Sequence, residues 1–320
     1  TFDVNKGKRR NYAKINKNYI NLRSPNKSNF LFGFLKAIRP YQWIKNILVF
    51  VPILAAQQFD IEIFYRSLFA FFAFSFTASS VYVFNDLLDL KSDRNHPKKR
   101  ERPFAKGDLS ISKGSIGGLL LFLTGTSFGL KIGITFITIL SIYYILTIAY
   151  SLYFKQKPLL DLCILSGLYT LRIIGGGFAT DLNLSFWLLC FSLFNFLSLA
   201  AIKRYAELKD IVETKIIKNY GRGYEISDLN FVSFIALSSG LLSSLVLALY
   251  INSPNVMTLY PSPKYLWITP FLFLFWILRM CFKTHRGQMD YDPIIFASKD
   301  KVSLSLFFLI IISVTIASFN

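Results

Sequence analysis

Long apolar stretches alternate with short polar stretches along most of the chain. Apolar residues dominate in nine segments, most of them long enough to cross a lipid bilayer as a helix. The predicted spans are residues 44–58, 65–84, 115–130, 132–152, 159–180, 184–201, 231–251, 264–282 and 302–319. Several spans carry glycine, serine or threonine along one side, as close packing of helices in lipid requires. The pattern therefore predicts an all-α polytopic membrane protein with about nine transmembrane helices.

The segment before the first span has a different composition. Residues 1–29 are rich in Lys, Arg and Asn and show little apolar periodicity, which is typical of a flexible tail or a membrane-surface segment. We therefore expect a basic cytoplasmic tail at residues 1–29 and a transmembrane domain at residues 30–320. The polar start has no early apolar core, so no signal peptide is predicted.

The distribution of charge supports the membrane interpretation. The chain is 53% hydrophobic and only 17% charged, which is less charge than a soluble domain of this size carries. The net charge of +18 is compatible with nucleic-acid binding, but all except four of the 36 Lys and Arg residues fall on one side of the nine-span arrangement. The exceptions are Arg66, Lys131 and Lys264 on the other side and Arg172 within a span. The positive-inside rule then predicts a cell-membrane protein with a cytoplasmic N-terminus. Because topology accounts for the basic charge, no nucleic-acid binding is predicted.

An acidic group follows directly on the second span. Asn85, Asp89 and Asp93 are spaced i, i+4, i+8, so on a continuous helix they share one face at about 40° per step, with Asp86 nearby. Oxygen ligands on one face suit Mg²⁺, which also takes substrate phosphate oxygens. The three residues would extend over about 12 Å of a straight helix, which is too far for direct contact with one ion. Two ions, bridging waters or a helix break near Asp93 would each resolve this.

Basic and polar residues accompany the acidic group at the same predicted membrane face. Pro97 disfavours helix at the residue before it, so we expect the break there. The candidate substrate-binding residues are Lys45, Asn46, Arg94, His96, Lys98, Lys99, Arg102, Arg172, Lys203, Arg204, Tyr205 and Glu207. The alternative is that these are solvated charges on a cytoplasmic loop. The combination of an amide, three aspartates and a basic run at a membrane boundary favours a metal and phosphate site.

Arg172 stands apart from the other cations because of its depth. It lies about 16 Å into the fifth span, where a lone guanidinium is costly unless it meets an anion or water. Asp161 on the same helix is too far away to be its partner. We therefore expect Arg172 to point into a polar cavity and to take its counter-ion from another helix or from the substrate.

The motifs resemble those of the UbiA-type intramembrane prenyltransferase superfamily. The resemblance rests on Asn85-Asp-x-x-Asp89-x-x-x-Asp93-Arg94 in a nine-span chain. Segments 39–46, 93–103, 171–176 and 203–208 further resemble the motifs of one branch, the decaprenyl-phosphate phosphoribosyltransferases. The second Asp-x-x-x-Asp motif of ordinary prenyltransferases, expected after the sixth span, is absent, and residues 205–213 stand there after basic residues. This departure favours phosphoribosyl diphosphate as the donor over a prenyl diphosphate.

The resemblance implies a fold, a reaction and a set of roles. The implied fold has helices around a central polar cavity that opens to the cytoplasm and laterally to lipid. The implied reaction is Mg²⁺-dependent transfer of 5-phosphoribosyl from phosphoribosyl diphosphate to a polyprenyl phosphate, with release of diphosphate. Asn85, Asp86, Asp89 and Asp93 would bind the metal, and Asn85, Asp89 and Asp93 would be catalytic. Two alternatives stay open, prenyl transfer to an aromatic or other small acceptor and transport of a lipid or ion, as does association into a homo-oligomer. A transporter often shows internal repeats, and none is evident in the sequence.

Overall fold

The computed structural model of the protein describes residues 27–95, 99–214, 222–289 and 292–319, and within those ranges helices are joined by turns and irregular segments, with no β-strand. The α-helices are α1 (Lys27–Ile38), α2 (Val51–Ala56), α3 (Ile61–Leu88), α4 (Leu90–Asn95), α5 (Pro103–Lys106), α6 (Ile111–Leu130), α7 (Ile134–Leu152), α8 (Leu160–Thr180), α9 (Phe186–Thr214), α10 (Leu229–Ile251), α11 (Pro254–Leu259), α12 (Ile268–His285), α13 (Pro293–Ala297) and α14 (Lys301–Phe319). Short 3-10 helices occupy Pro40–Phe50, Lys99–Glu101, Phe154–Gln156, Ile226–Asp228 and Pro263–Trp267. The predicted tail at residues 1–29 lies almost wholly outside the described residues.

Seven helical segments in the described part of the chain are long and apolar enough to cross a membrane. They are Ile61–Leu88, Ile134–Leu152, Leu160–Thr180, Phe186–Glu213, Ile226–Ile251, Pro263–His285 and Lys301–Phe319. The prediction of an all-α integral membrane protein is confirmed, but the count of nine spans is not. Helix α6 covers the predicted span 115–130 but is not one of the seven. Its glycine, serine and threonine residues lower its mean hydropathy. The predicted span 44–58 forms shorter helices.

A 3-10 helix and a short α-helix replace the continuous first span. Pro40–Phe50 is a 3-10 helix, and α2 begins at Val51 with Pro52 in its first turn. Because proline has no N–H and its ring clashes with the carbonyl four residues earlier, one uninterrupted α-helix through this segment is disfavoured. Lys45 and Asn46 are buried in the 3-10 helix. The continuous span predicted at 44–58 is therefore replaced by two shorter helices, and the burial of Lys45 and Asn46 was not predicted.

The chain divides into two compact units. The first comprises Thr1–Pro40 and Ala78–Leu123, and the second comprises Tyr41–Thr77 and Thr124–Asn320. In the first unit, the core contains Ala37, Val83 and Phe104, and Ser79 Oγ donates to the backbone oxygen of Ile38 at 2.8 Å. Small side chains on α3 thus allow close backbone approach in this unit.

The largest core of the second unit lies among α8, α9, α10 and α12. Its most deeply buried members include Leu162, Ile202, Val232, Ile277 and Met280. Each of these helices also carries apolar side chains that remain exposed, as expected where lipid is the solvent. Packing in this unit fixes α8 and α9, which carry several candidate site residues.

The acidic end of α3 keeps helical spacing although the helix is interrupted. Asp89 forms a turn between α3 and α4. The backbone N–H of Asp89 nevertheless donates to Asn85 at 2.9 Å, and that of Asp93 donates to Asp89 at 2.8 Å. Helix α4 is described as far as Asn95, and the break expected from Pro97 lies outside the described residues. His96 and Lys98 lie outside the described residues.

We expect Gly176→Ala to destabilise the second unit. A Cβ at Gly176 would stand 2.1 Å from the carbonyl oxygen of Val49 in the 3-10 helix, so this helix would have to move, and overpacking of this kind typically costs about 1–3 kcal/mol. Gly167→Ala on the same helix is the matched control, because its Cβ would meet nothing within 4 Å. Thermal unfolding of both variants in detergent checks the prediction, and equal midpoints would contradict it.

Candidate functional site

The first unit contains a buried acidic cluster, which we call the Asp86 cluster, formed by Asp86, Asp93, Arg39 and Arg102. Asp86 and Asp93 are each 1% exposed. Arg39 donates to Asp86 Oδ1 at 2.6 Å. Arg102 Nη1 donates both to the same oxygen at 3.1 Å and to Asp93 Oδ2 at 2.7 Å. One guanidinium therefore joins the two carboxylates.

The second oxygen of each carboxylate in the Asp86 cluster is buried without a hydrogen-bond partner in the described residues. These atoms are Asp86 Oδ2 and Asp93 Oδ1. A buried unpaired carboxylate oxygen is costly, and coordination of a cation would remove the cost. Among the described residues no three His, Cys, Asp or Glu side chains form a metal-binding group. Mg²⁺ commonly binds through one or two carboxylates plus waters and phosphates, so these residues fit Mg²⁺.

The arrangement differs from the predicted face of Asn85, Asp89 and Asp93. Residues seven apart on an α-helix differ by only about 20° in direction, whereas residues eight apart differ by about 80°. Asp86 and Asp93 therefore converge more closely than Asn85 and Asp93. Asn85 and Asp89 are half-buried in the structure.

Three further predicted cations belong to the described part of the first unit. Arg102, predicted to bind phosphate, pairs with the carboxylates of the Asp86 cluster. Arg94 is exposed and Lys99 is half-buried. Arg39 was not among the candidate residues, although its pairing with Asp86 makes it a member of the site. Its position before Pro40, far from the acidic group in sequence, gave no signal of this contact.

Lys45, Lys203 and Asp292 form a second cluster, the Asp292 cluster, in the second unit. The ammonium of Lys45 donates to Asp292 Oδ2, and the ammonium of Lys203 lies 3.8 Å from the same oxygen. Lys45 also lies over the ring of Tyr169, 5.9 Å from its centroid. Two ammonium groups and one carboxylate leave this cluster with an excess positive charge. Asp292 was not predicted as a site residue.

Arg172 is buried among neutral groups. Its guanidinium donates to Asn46 Oδ1 at 2.7 Å, to the Leu168 carbonyl at 2.5 Å and to the Tyr143 hydroxyl at 2.8 Å. It also stacks over Tyr143 and Tyr169, at 4.8 and 5.3 Å from the ring centroids. These partners, in the part of the chain that the structure describes, orient the guanidinium but do not neutralise its charge. Of the two predicted sources of a counter-ion, another helix or the substrate, these contacts supply no carboxylate from another helix.

A third cluster, the Arg204 cluster, has balanced charges. Arg204 donates to both oxygens of Asp161, from Nε at 2.8 Å and from Nη2 at 3.0 Å, and its Nη1 donates to Glu207. Arg222 lies 3.4 Å from each of the two carboxylates, and the Tyr150 hydroxyl donates to Asp161 at 2.7 Å. Two guanidinium groups thus face two carboxylates. This arrangement indicates a structural role for Arg204 and Glu207, which were predicted to contact substrate.

Tyr205 faces a different side of α9. It lies about 160° around the helix from Lys203, and its hydroxyl is 3.0 Å from Nδ1 of His285 on α12. Both side chains line a cavity of about 230 Å³ between α9, α10 and α12. The structure therefore does not group Tyr205 with Lys203 or with the Arg204 cluster.

The described residues thus define a polytopic α-helical membrane protein with buried acidic and cationic clusters. A model of the UbiA prenyltransferase family matches residues 47–286. The chain belongs to this family, as the sequence motifs indicated.

Three proteins of known sequence are similar to this chain over most of its length. The chain is 35% identical to y4nM of Sinorhizobium fredii over 282 residues, which cover 88% of this chain but only 55% of that longer protein. It is 35% identical over 272 residues to the nodulation protein NoeC of Azorhizobium caulinodans, covering 85% and 88% of the two chains. It is also 35% identical over 230 residues to the decaprenyl-phosphate phosphoribosyltransferase of Corynebacterium glutamicum, covering 69% and 68%.

A solved structure shares the fold. The UbiA homolog from Archaeoglobus fulgidus bound to GPP and Mg²⁺ superposes with a TM-score of 0.66, at 12% identity, over 88% of this chain and 99% of that one. The likeness supports the assignment of the fold. It also shows that a protein of this fold binds a divalent metal.

Proposed function

We propose that the protein transfers 5-phosphoribosyl from phosphoribosyl diphosphate to a polyprenyl phosphate and releases diphosphate. The observation that carries this proposal is the buried guanidinium of Arg172, which is oriented by three hydrogen bonds to neutral groups. A charge at membrane depth is stable when an anion meets it, so a phosphorylated substrate is the expected partner. The relative from Corynebacterium glutamicum is named for the same reaction with decaprenyl phosphate as acceptor.

The chain's own residues would act mainly by binding and orientation. Arg172 and the two lysines of the Asp292 cluster would hold substrate phosphates, as charge-assisted hydrogen bonds do most strongly. The C1–oxygen bond to diphosphate breaks with its electron pair leaving on diphosphate, and a new bond forms from C1 to a phosphate oxygen of the lipid. That oxygen is already ionised near neutral pH, so no general base is required. Positioning and electrostatics then supply most of the rate enhancement.

The Asp86 cluster would hold the metal. Asp86 and Asp93 would provide the oxygen ligands, with Asn85 and Asp89 near them in the sequence. When bound, Mg²⁺ would offset the negative charge that develops on the departing diphosphate. Arg39 and Arg102 would hold the two carboxylates in place by their hydrogen bonds.

Labelled substrates test the proposed reaction directly. Membranes that contain the protein are incubated with phosphoribosyl diphosphate labelled in the ribose, polyprenyl phosphate and Mg²⁺. The expected result is a labelled lipid together with an equal amount of diphosphate. Transfer of a labelled prenyl group from a polyprenyl diphosphate to a small acceptor, without labelled ribosyl lipid, would instead establish the alternative prenyltransferase reaction. The acceptor side is probed with polyprenyl phosphates of several lengths.

We expect Arg172→Gln to raise the KM for the phosphorylated donor by about 10- to 150-fold. The substitution removes the charge that would meet the substrate phosphate, and a hydrogen bond to a charged group contributes about 1.5–3 kcal/mol. The measurement is the dependence of initial rate on donor concentration. Arg66→Gln is a suitable control, because Arg66 pairs with the exposed Asp181 at 2.7 Å and lies outside all three clusters. An unchanged KM in the Arg172 variant would contradict the assignment.

A further inference from the structure

Asp292 joins two cations that come from distant parts of the second unit. Lys45 lies on the 3-10 helix Pro40–Phe50 and Lys203 lies on α9. Both ammonium groups approach one oxygen, Oδ2 of Asp292. Two ammonium groups repel each other, and lysine side chains are flexible. A carboxylate at this position opposes both effects.

The carboxylate of Asp292 is itself held in place. Its Oδ1 accepts hydrogen bonds from the backbone N–H groups of Ile294 at 3.2 Å and Ile295 at 3.4 Å, at the start of α13. The side chain is 14% exposed. Burial by itself would raise the pKa of Asp292, but the charges of Lys45 and Lys203 outweigh this and hold the pKa below its usual value. Asp292 is therefore a fixed anion near neutral pH.

We infer that Asp292 is a positioning residue for phosphate binding. It fixes the ammonium groups of Lys45 and Lys203 at one place, so that a substrate phosphate meets two converging cations and a net positive charge. This inference rests on the proposed function, since it assumes that the two lysines bind phosphate. The hydrogen bonds to Ile294 and Ile295 oppose displacement of the carboxylate, so Asp292 supports phosphate binding and does not compete with it.

The Asp292→Asn variant tests whether Asp292 positions Lys45 and Lys203 for phosphate or competes with phosphate for them. The amide oxygen can still accept from Ile294 and Ile295, but the charge that attracts both lysines is lost. We expect the Kd for inorganic diphosphate, measured by calorimetry on the purified full chain in detergent, to rise at least about tenfold. The KM for phosphoribosyl diphosphate should rise by a similar factor with kcat little changed. Asp292→Glu, which keeps the charge, should recover part of the affinity.

Asp300→Asn is the matched control. Asp300 also lies just before a helix, α14, where it accepts from the Ser303 N–H at 2.8 Å. Arg279 donates to it at 2.6 and 2.9 Å, and these hydrogen bonds lower its pKa to about 2. The control thus removes a paired, capping carboxylate that contacts neither lysine. Its Kd for diphosphate should equal that of the unmodified protein.

Each outcome decides the inference. A Kd for the Asp292→Asn variant that is unchanged or lower than that of the unmodified chain overturns it, and so does an unmodified chain that fails to bind diphosphate. Equal losses in the Asp292→Asn and Asp300→Asn variants also overturn it, because they indicate a general structural effect. Failure of the proposed function is recognised separately, as diphosphate binding without formation of a labelled ribosyl lipid.

Discussion

Replacement of Asp93 by asparagine is expected to lower the rate of ribosyl transfer about 100-fold or more. The substitution keeps the size of a side chain that is 1% exposed but removes its charge. It also removes one of the two buried carboxylate oxygens, Asp93 Oδ1, that have no hydrogen-bond partner in the described residues. Loss of one preorganised group that stabilises transition-state charge typically costs a factor of about 10²–10³ in rate. The labelled-lipid assay over a range of Mg²⁺ concentrations measures both the rate and the metal requirement.

The control for Asp93→Asn is Glu101→Gln. Glu101 belongs to the same unit and pairs with Arg100 at 3.8 Å, but both side chains are more than 60% exposed. An exposed pair of this kind contributes about 0–1 kcal/mol, so we expect ordinary activity and an ordinary Mg²⁺ requirement. Asp93→Asn with unmodified activity would remove Asp93 from the metal site.

Two further variants distinguish the metal arrangement derived from the structure from the one predicted from the sequence. If Asp86 and Asp93 bind the metal, Asp86→Asn should impair transfer as severely as Asp93→Asn. If the full set predicted from the sequence, Asn85, Asp86, Asp89 and Asp93, binds it, Asp89→Ala should abolish transfer as well. If only Asp86 and Asp93 bind it, Asp89→Ala should keep most of the activity. Correct insertion is checked in each case by the amount of folded protein extracted from membranes.

The helical architecture could be predicted well because hydropathy responds directly to the membrane. The predicted span 159–180 corresponds to Leu160–Thr180, and the predicted span 302–319 corresponds to Lys301–Phe319. Conformation within an apolar segment was harder to predict. The segment 44–58 has a suitable composition for a span, but Pro52 interrupts it, and hydropathy does not report the resulting 3-10 helix.

The candidate site could be predicted only where its members are close in sequence. Asp86 was predicted as a metal ligand, but its pairing with Asp93, which follows from a spacing of seven residues, was not recognised beside the shared face of Asn85, Asp89 and Asp93. Contacts between distant residues left no such pattern. Lys45 and Asp292 are 247 residues apart, and no local feature of the loop that contains Asp292 separates it from a solvated surface residue.

The roles of the arginines show why residue type alone is insufficient. The sequence placed Arg172 and Arg204 in one group of phosphate-binding candidates. In the structure Arg172 contacts neutral groups, whereas Arg204 contacts two carboxylates. Only the surrounding charges, which the fold brings from other helices, distinguish a guanidinium that is suited to an external anion from one that is neutralised internally.

Arg204→Met is expected to destabilise the protein by about 3–5 kcal/mol, the usual cost of removing one partner from a buried ion pair. Arg204 is 1% exposed and Asp161 is fully buried. Without the guanidinium, the side-chain partners of Asp161 among the described residues would be Tyr150 at 2.7 Å and Arg222 at 3.4 Å, and the charges of the cluster would no longer balance. The variant should show a markedly lower unfolding midpoint in detergent and a smaller folded fraction after extraction.

Arg100→Met is the control for Arg204→Met, because it removes an arginine from an exposed pair and should leave the unfolding midpoint unchanged.

The comparison of the two variants also decides the role of Arg204. If Arg204 bound substrate phosphate, Arg204→Met would leave a protein of ordinary stability with a raised KM. If Arg204 holds α8 and α9 together through Asp161, stability falls first, and the molecules that remain folded keep a KM for the donor close to that of the unmodified protein. The bidentate contact with Asp161 favours the second result, because a guanidinium held by two internal carboxylates has little net charge left to attract a third anion.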